Sequence, residues 1–338
     1  MKVAVLMGGR SAEREVSLAS GVQVARALRR AGHRVTAVDT RDGPLDRARE
    51  EELLERGVGE APPEPEAGGR PGEPELLEVA GLPEVAGADV VFPALHGGAG
   101  EDGTLQAILE VAGVTCAGSG PLGCGLAMDK DVSKRLFRQA GVPTSDWHMA
   151  PAAGGPPEEE IADALGRPLV VKPASGGSTL GLTVVRAEGE LAAAVERARR
   201  FDDEVMVEAF TEGREITVGV LGDRPLAVGE IVPEHEIFDY ACKYQPELAR
   251  EIFPADIPAA AADRARELAL SVHRALKLEG FSRVDFILDA EGASWCLEAN
   301  ALPGMTSNSL VPQAAAASGI DFPELCDRIV RAAAGAAA

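Results

Sequence analysis

Basic residues are outnumbered in this chain. Its 338 residues include 33 Lys and Arg against 54 Asp and Glu, a net charge of -21, with no Lys/Arg cluster to offset it locally. Nucleic acid and anionic membrane surfaces are therefore not expected as partners, because both need a cationic face. An anionic substrate must instead meet a few placed cations inside a cleft. The five cysteines, Cys116, Cys124, Cys242, Cys296 and Cys326, are odd in number, scattered and without CxxC spacing. Neither a disulfide framework nor a zinc site is expected, and the thiols read as reduced core residues of a cytoplasmic protein. No apolar run reaches membrane-spanning length, and MKVAVLMGG turns polar too soon for a signal peptide. Aromatics make up only 4%, so the run Phe238 to Tyr244, FDYACKY, stands out. What is present, 46% hydrophobic and 26% charged residues, is the balance of a globular chain long enough for two or three domains.

The most informative stretch runs from Arg283 to Leu310. Val284, Phe286 and Leu288 alternate with Arg283, Asp285 and Ile287, which predicts a strand with one apolar face. Asp289-Ala290-Glu291-Gly292 supplies turn residues. A second run follows, with Trp295, Leu297 and Ala299 on one face and Cys296, Glu298 and Asn300 on the other. A hairpin pairing Asp285 with Glu298 brings Arg283, Asp285, Glu298 and Asn300 to one spot, and a one-residue slip would undo this. Two carboxylates and a carboxamide suit magnesium, which shares its remaining positions with phosphate oxygens and water. The adjacent guanidinium suits a phosphoryl group or an oxyanion. The same charges also suit a salt-bridged hairpin at a solvent-facing edge. Beyond it, Gly304 in Leu302-Pro303-Gly304-Met305-Thr306 lets the backbone approach a ligand closely.

The chain opens as strand, glycine turn, helix, strand over Lys2 to Val38, the start of a doubly wound α/β domain. Glu13 sits at the helix start, placed either to catch an ammonium group or simply to complement the helix dipole. Arg41 to Glu84 reads as an excursion with a short charged helix over Asp46 to Arg56. His96 opens the loop HGGAGEDG after a further strand, as a ligand contact or as a turn residue. Val114 to Ala117 reads as a short strand and Gly118 to Gly125 as a loop, with a helix following Asp129 and Lys130. Pro168 to Pro173 is a buried strand carrying Lys172, and ASGGSTLG, Ala174 to Gly181, reads as a flap whose amides suit phosphate. Strands are expected over Glu204 to Phe210 and Glu215 to Leu221, and an irregular stretch between Pro233 and Pro254. A helix over Ala259 to Leu276 leads to the hairpin, and helices from Val311 and Pro323 follow it.

Taken in order, GGRSAEREVSLASG, HGGAGEDG, AMDKDVSK, VVKPASGGSTLG, FDYACKY, RVDF and LEANALPGMTSNSL resemble the D-alanine–D-alanine ligase family of the ATP-grasp superfamily over nearly the whole chain. The resemblance implies an α/β ATP-grasp fold. It has an N-terminal doubly wound substrate domain over 1–129, a small central domain over 130–212 and a C-terminal domain over 213–338. It implies a cytoplasmic ligase, a homodimer, that joins two D-alanines for peptidoglycan precursors. A D-alanine carboxylate attacks the γ-phosphate of ATP, and the amine of a second D-alanine attacks the resulting acyl phosphate. The same resemblance implies that Lys130 and Lys172 hold the α- and β-phosphates and Lys243 reaches the γ-phosphate. Glu208, Ala209, Phe210 and Thr211 would bind adenine, and Glu215 the ribose. Asp285, Glu298 and Asn300 would ligate two magnesium ions, with manganese an alternative. Arg283 and the Gly304 amide would stabilise the oxyanion. Glu13 would bind the first ammonium, ordered by Ser178 and Tyr244, with His96 near the first substrate. Ser309 and Leu310 would receive the second carboxylate.

The chain departs from the family pattern at Ala301, where a threonine hydroxyl is usual, and at Thr179, where serine is common. The rival within the fold is a ligase of D-alanine to D-lactate, against which Tyr244 argues. A nucleotide-sensing protein without catalysis would be expected to lack some metal ligands or Arg283, and all are retained.

Overall fold

The computed structural model describes residues 1–11, 13–58, 75–151, 158–235, 237, 238, 242 and 248–335. Lys243 and Tyr244 lie outside them. Among the described residues the strands form three sheets. The first contains β1 (Lys2–Met7), β2 (Arg34–Asp39), β3 (Gly43–Pro44) and β4 (Val90–Pro93), ordered β3-β2-β1-β4. β1 runs parallel to both β2 and β4, while β3 pairs antiparallel at the edge. The helix Arg14–Arg30 makes the crossover between β1 and β2. Eleven of its residues are buried, and the chain turns at Gly32, φ +90, where the His33 N–H reaches the Leu28 carbonyl at 3.0 Å. Because β2 and β4 lie on opposite sides of β1, the crevice beyond the carboxyl end of β1 is a topological switch point. The chain leaving β1 leads to Glu13, and the chain leaving β4 leads to His96.

The second sheet holds β5 (Trp147–Met149), β6 (Leu169–Pro173), β7 (Thr183–Val185) and β8 (Val205–Ala209), in the order β5-β8-β6-β7 and antiparallel throughout. The third is also antiparallel. It holds β9 (Arg214–Leu221), β10 (Arg224–Pro233), β11 (Ala249–Ile252), β12 (Phe281–Leu288) and β13 (Ser294–Asn300), ordered β11-β10-β9-β12-β13. The helix Ala259–Ala275 packs Ala265, Leu268 and Val272 against Val218, Val284 and Phe286 of this sheet. Each fully buried Phe or Leu there contributes about 2 kcal/mol.

The first and third sheets share a core. Phe92 of β4 stacks on Phe281 of β12, with ring centroids 5.8 Å apart. The C-terminal helix Phe322–Ala333, started by the Asp321 side chain on the Glu324 N–H, buries Leu325, Ile329 and Val330 with Val3, Val5 and Leu28. His33 Nε2 meets Asp327 at 2.7 Å across that contact.

Three sequence expectations need correction. Gly118 to Gly125 is not all loop, because Pro121–Met128 is a helix with proline in its first turn. Its Gly123 packs where a Cβ would lie 2.7 Å from the Lys277 carbonyl, so the glycine serves close approach rather than a turn. β11 lies within the stretch expected to be irregular, and β10 occupies residues for which no element was expected. Pro225 lies at a register break in β10, which is where a sheet accepts proline. The strand expected over Val114 to Ala117 reduces to one bridge, Val91 with Cys116.

Candidate active site

The β12–β13 hairpin adopts the expected register, with Asp285 opposite Glu298 and Arg283 opposite Asn300. The alternation on β13 does not continue past Glu298. A bulge lies between Asp285 and Phe286, so Phe286 faces Cys296 and Leu297 is the extra residue. Cys296 therefore joins Ala299 in the core instead of sharing a face with Glu298. Leu297 and Glu298, adjacent in sequence, both line the cavity between the second and third sheets.

That cavity measures about 450 Å³ and is lined by Lys130, Lys172, Glu208 to Thr211, Glu215, Arg283, Asp285 and Glu298. Lys130 starts the helix Lys130–Gln139, which Asp129 caps. Its Nζ donates to the Gly176 carbonyl at 2.7 Å and lies 3.5 Å from Glu298. Ala209 and Phe210 give their N–H groups to the Asp146 and Pro168 carbonyls, and Thr211 Oγ1 pairs with Ser145 at 2.7 Å.

Two residues of this wall, Lys172 and Glu208, form a buried triad with Lys134 behind them. Glu208 accepts from Lys172 at 2.6 Å and from Lys134 at 2.8 Å, and Lys134 is completely buried beside Trp147. Burial pushes the Glu208 carboxyl up. The two ammonium groups and their hydrogen bonds outweigh it and hold the pKa down at about 2. Burial also lowers the Lys134 pKa, against the pull of Glu208. A depressed carboxyl contributes stability above its unfolded pKa, and that stability is lost as pH falls from about 4 toward about 2. Lys134→Met removes one of the two holding charges. We expect a loss of about 3 kcal/mol at neutral pH and an acid-unfolding midpoint at higher pH, read by circular dichroism. An unchanged midpoint would mean that Lys172 alone holds Glu208.

A second cavity, about 760 Å³, lies between the first and third sheets. Glu13, His96, Glu101, Ser178, Asn300, Gly304, Ser309 and Leu310 line it, and Arg283 and Glu298 line both cavities. Glu13 is buried and accepts from the Ser178 hydroxyl. Gly97, φ +66, leaves no room for a side chain, since a Cβ would lie 2.7 Å from Glu13 Oε2. Ser178 and Thr179 at the flap tip hold positive φ values of 52° and 61°, unusual for residues with a Cβ. The Ser178–Glu13 bond and a 2.9 Å bond from Thr179 Oγ1 to the Phe238 carbonyl fix this conformation. His96 is buried with both ring nitrogens engaged. Ser309 holds the N-cap position of the helix Leu310–Ala317 with its hydroxyl turned to Thr306 Oγ1 at 2.8 Å and not to the helix, so the Leu310 amide lies at a helix N-terminus.

Arg283 binds Asp285 in a forked pair, Nε to Oδ1 at 2.9 Å and Nη2 to Oδ2 at 2.7 Å. Burial opposes the guanidinium charge, but Asp285 and then Glu298 outweigh it and raise the pKa further. Asp285 also accepts from Thr217 at 2.7 Å and from Asn300 Nδ2 at 3.2 Å. Among the described residues no group of three or more His, Cys, Asp and Glu side chains is arranged for a metal. The donors here are two carboxylates and a carboxamide, all hard oxygen ligands. They fit magnesium that completes its shell with phosphate and water.

Two residues at the site carried no expectation from sequence. One is Lys134. The other is Glu101, whose carboxylate accepts the Gly97 N–H at 2.8 Å while burial, then Glu13, pushes its pKa up to about 8. An acid inside the glycine loop was the available signal. Burial pushes the Cys116 pKa up to about 12.

Comparison with known proteins agrees with this arrangement. Family models match residues 2–119, as the D-ala D-ala ligase N-terminus, and 136–331, as the D-ala D-ala ligase C-terminus. The D-alanine–D-alanine ligase of Anaeromyxobacter dehalogenans is 40% identical over 335 residues, 98% of this chain and 97% of that protein. A solved D-alanine–D-alanine ligase from Bacillus anthracis, complexed with ATP, superposes with a TM-score of 0.75 at 29% identity, covering 98% of this chain and 96% of that one. VanG D-Ala:D-Ser ligase from Enterococcus faecalis gives a TM-score of 0.78 at 31% identity, covering 98% of both chains. The three-sheet architecture is the ATP-grasp fold of these enzymes, and the chain belongs to the D-alanine–D-alanine ligase family.

Proposed function

We propose that this chain uses ATP to join two D-alanines into D-alanyl-D-alanine, releasing ADP and phosphate, as a cytoplasmic homodimer supplying peptidoglycan precursors. The observation that carries the reading is the position of Arg283 and Glu298, which line both cavities and so stand between a nucleotide space and a small-substrate space. We assign residues 1–129 to substrate binding, 130–212 to the flap-bearing nucleotide half and 213–338 to the metal-bearing half.

In this reading Lys130 and Lys172 hold phosphates, residues 208–211 take the adenine, and Glu215 takes the ribose. Lys243 reaches the γ-phosphate, and Tyr244 orders Ser178. Glu13, oriented by Ser178, binds the first ammonium and so aims that substrate's carboxylate at the γ-phosphorus. Asp285, Glu298 and Asn300 would hold two magnesium ions, or manganese. When bound, the metal neutralises charge on the phosphate oxygens. The carboxylate oxygen bonds to phosphorus as the bond to ADP breaks, giving an acyl phosphate. The second amine then attacks the acyl carbon, with its carboxylate on Ser309 and the Leu310 amide. Arg283 and the Gly304 amide hold the tetrahedral oxyanion until phosphate leaves. Full-length relatives named for D-alanine support this acceptor over D-lactate.

The test measures phosphate release with ATP and magnesium against a panel of D-amino and D-hydroxy acids, with products identified by mass. No dipeptide from D-alanine would sink the reading. The flap supplies a second check. Residues 174–181 are set with few buried side chains, and amide exchange there should slow at least tenfold when ATP and magnesium are added. Equal exchange in both states would remove the flap from the mechanism.

A further inference from the structure

The turn that carries Gly304 is held from outside the hairpin, by residues of the N-terminal half. His96 Nδ1 lies 3.1 Å from the Leu302 carbonyl. A carbonyl only accepts, so the proton is on Nδ1 and Nε2 is the acceptor. The Ser20 hydroxyl lies 3.2 Å from Nε2 and donates to it. The same oxygen receives the Met305 N–H at 3.3 Å. Leu302 and Met305 bracket Pro303 and Gly304, so the relay grips the turn on both sides. Its members are buried, with exposures of 0% for Ser20, 6% for His96, and 2% for Leu302 and Met305. Burial lowers the His96 pKa, opposed by Glu13 and aided by Arg283, consistent with a neutral ring in this tautomer.

We propose that Ser20 and His96 are positioning residues that set the Gly304 amide for the oxyanion, and that His96 acts through this turn rather than by offering a ring nitrogen to substrate. Ser20 stands on the helix that begins beside Glu13, seven residues on, a separation of ~10 Å at 1.5 Å per residue. One rigid helix therefore carries the proposed ammonium site at its start and fixes the oxyanion donor farther along. Gln23 of the same helix accepts the Ser307 N–H at 2.8 Å and extends the seam. A hydroxyl inside a helix commonly turns back to its own carbonyls, whereas this one bridges two distant segments.

The inference rests on the ligase reading, and it separates the two chemical steps. Acyl-phosphate formation has no tetrahedral carbon and does not need the Gly304 donor. Amine attack does. Ser20→Ala should lower kcat for dipeptide ~10- to 100-fold, the range expected when a reacting group or donor is displaced. The KM for ATP should stay within about twofold. Hydroxylamine added after the enzyme is denatured, so that its attack on the acyl phosphate needs no protein donor, gives D-alanine hydroxamate and phosphate and should still report the first product at near the wild-type level. His96→Asn, which keeps a donor toward Leu302 but loses the Ser20 contact, should fall between the two and tests the relay if Ser20→Ala does not fold. A folded Ser20→Ala or His96→Asn protein with unchanged kcat overturns the relay. Equal loss of hydroxamate and dipeptide also overturns it, marking a structural role. A wild-type chain that makes no dipeptide overturns the ligase reading instead.

Discussion

Glu298→Gln is expected to lower kcat by ~10³-fold while the protein remains folded and still binds ATP. Glu298 lies where the two cavities meet, 3.5 Å from Lys130 and opposite Asp285 on the paired strand. The bulge at Leu297 aims it there, and glutamine fills the same space without disturbing the strand. In the proposed mechanism, what is lost is one negative charge and one carboxylate ligand at the point of phosphoryl transfer. Charge stabilisation of this kind is worth several kcal/mol, and about 4 kcal/mol corresponds to ~10³ in rate. The measurement is kcat across a magnesium titration, with nucleotide affinity followed separately. Part of the loss should be recovered at higher magnesium. A folded variant within tenfold of wild type at all magnesium concentrations would take Glu298 out of the ligand set.

The hairpin was readable from sequence because its information is local. Period-2 alternation and a turn at Asp289 to Gly292 leave few registers that keep Val284 and Phe286 buried, and the observed pairing is the one expected. The bulge was not readable, since it goes with the burial of Cys296 in a core cluster that is assembled from distant segments, Val218 and Val284 among them. Lys134 shows the same limit. On its own helix it is one polar residue among several, and only Glu208, 74 positions away, makes burial of its charge tolerable. Ser20 is joined to His96 across 76 positions and to Met305 across 285, and His96 reaches Leu302 across 206, so no local pattern connects them. The proline-bearing helix from Pro121 and the strand from Arg224 were hidden for a different reason. Both begin with turn-forming residues that also suit the first turn of a helix or a break in strand register.

Arg283→Lys should lower kcat by ~10²- to 10³-fold, the usual cost of removing one oxyanion donor. The charge is kept in this variant, so the loss isolates geometry. Arg283 is fixed by two parallel bonds to Asp285, itself anchored by Thr217 and Asn300. A lysine ammonium cannot reproduce that fork and at the same time present a second N–H to a substrate. The raised pKa of Arg283 leaves it charged throughout the working range, so the pH profile of the wild-type enzyme should owe neither limb to it. The variant should keep that profile and its ATP affinity, losing rate alone. Hydroxamate trapping again divides the steps. If Arg283 serves mainly the tetrahedral oxyanion, trapped acyl phosphate falls much less than dipeptide. If both fall together, its main work is at the transferring phosphoryl group, which the shared lining of the two cavities equally permits. A folded Arg283→Lys protein with kcat within tenfold of wild type would exclude both roles and leave Arg283 as the partner that holds Asp285 in place.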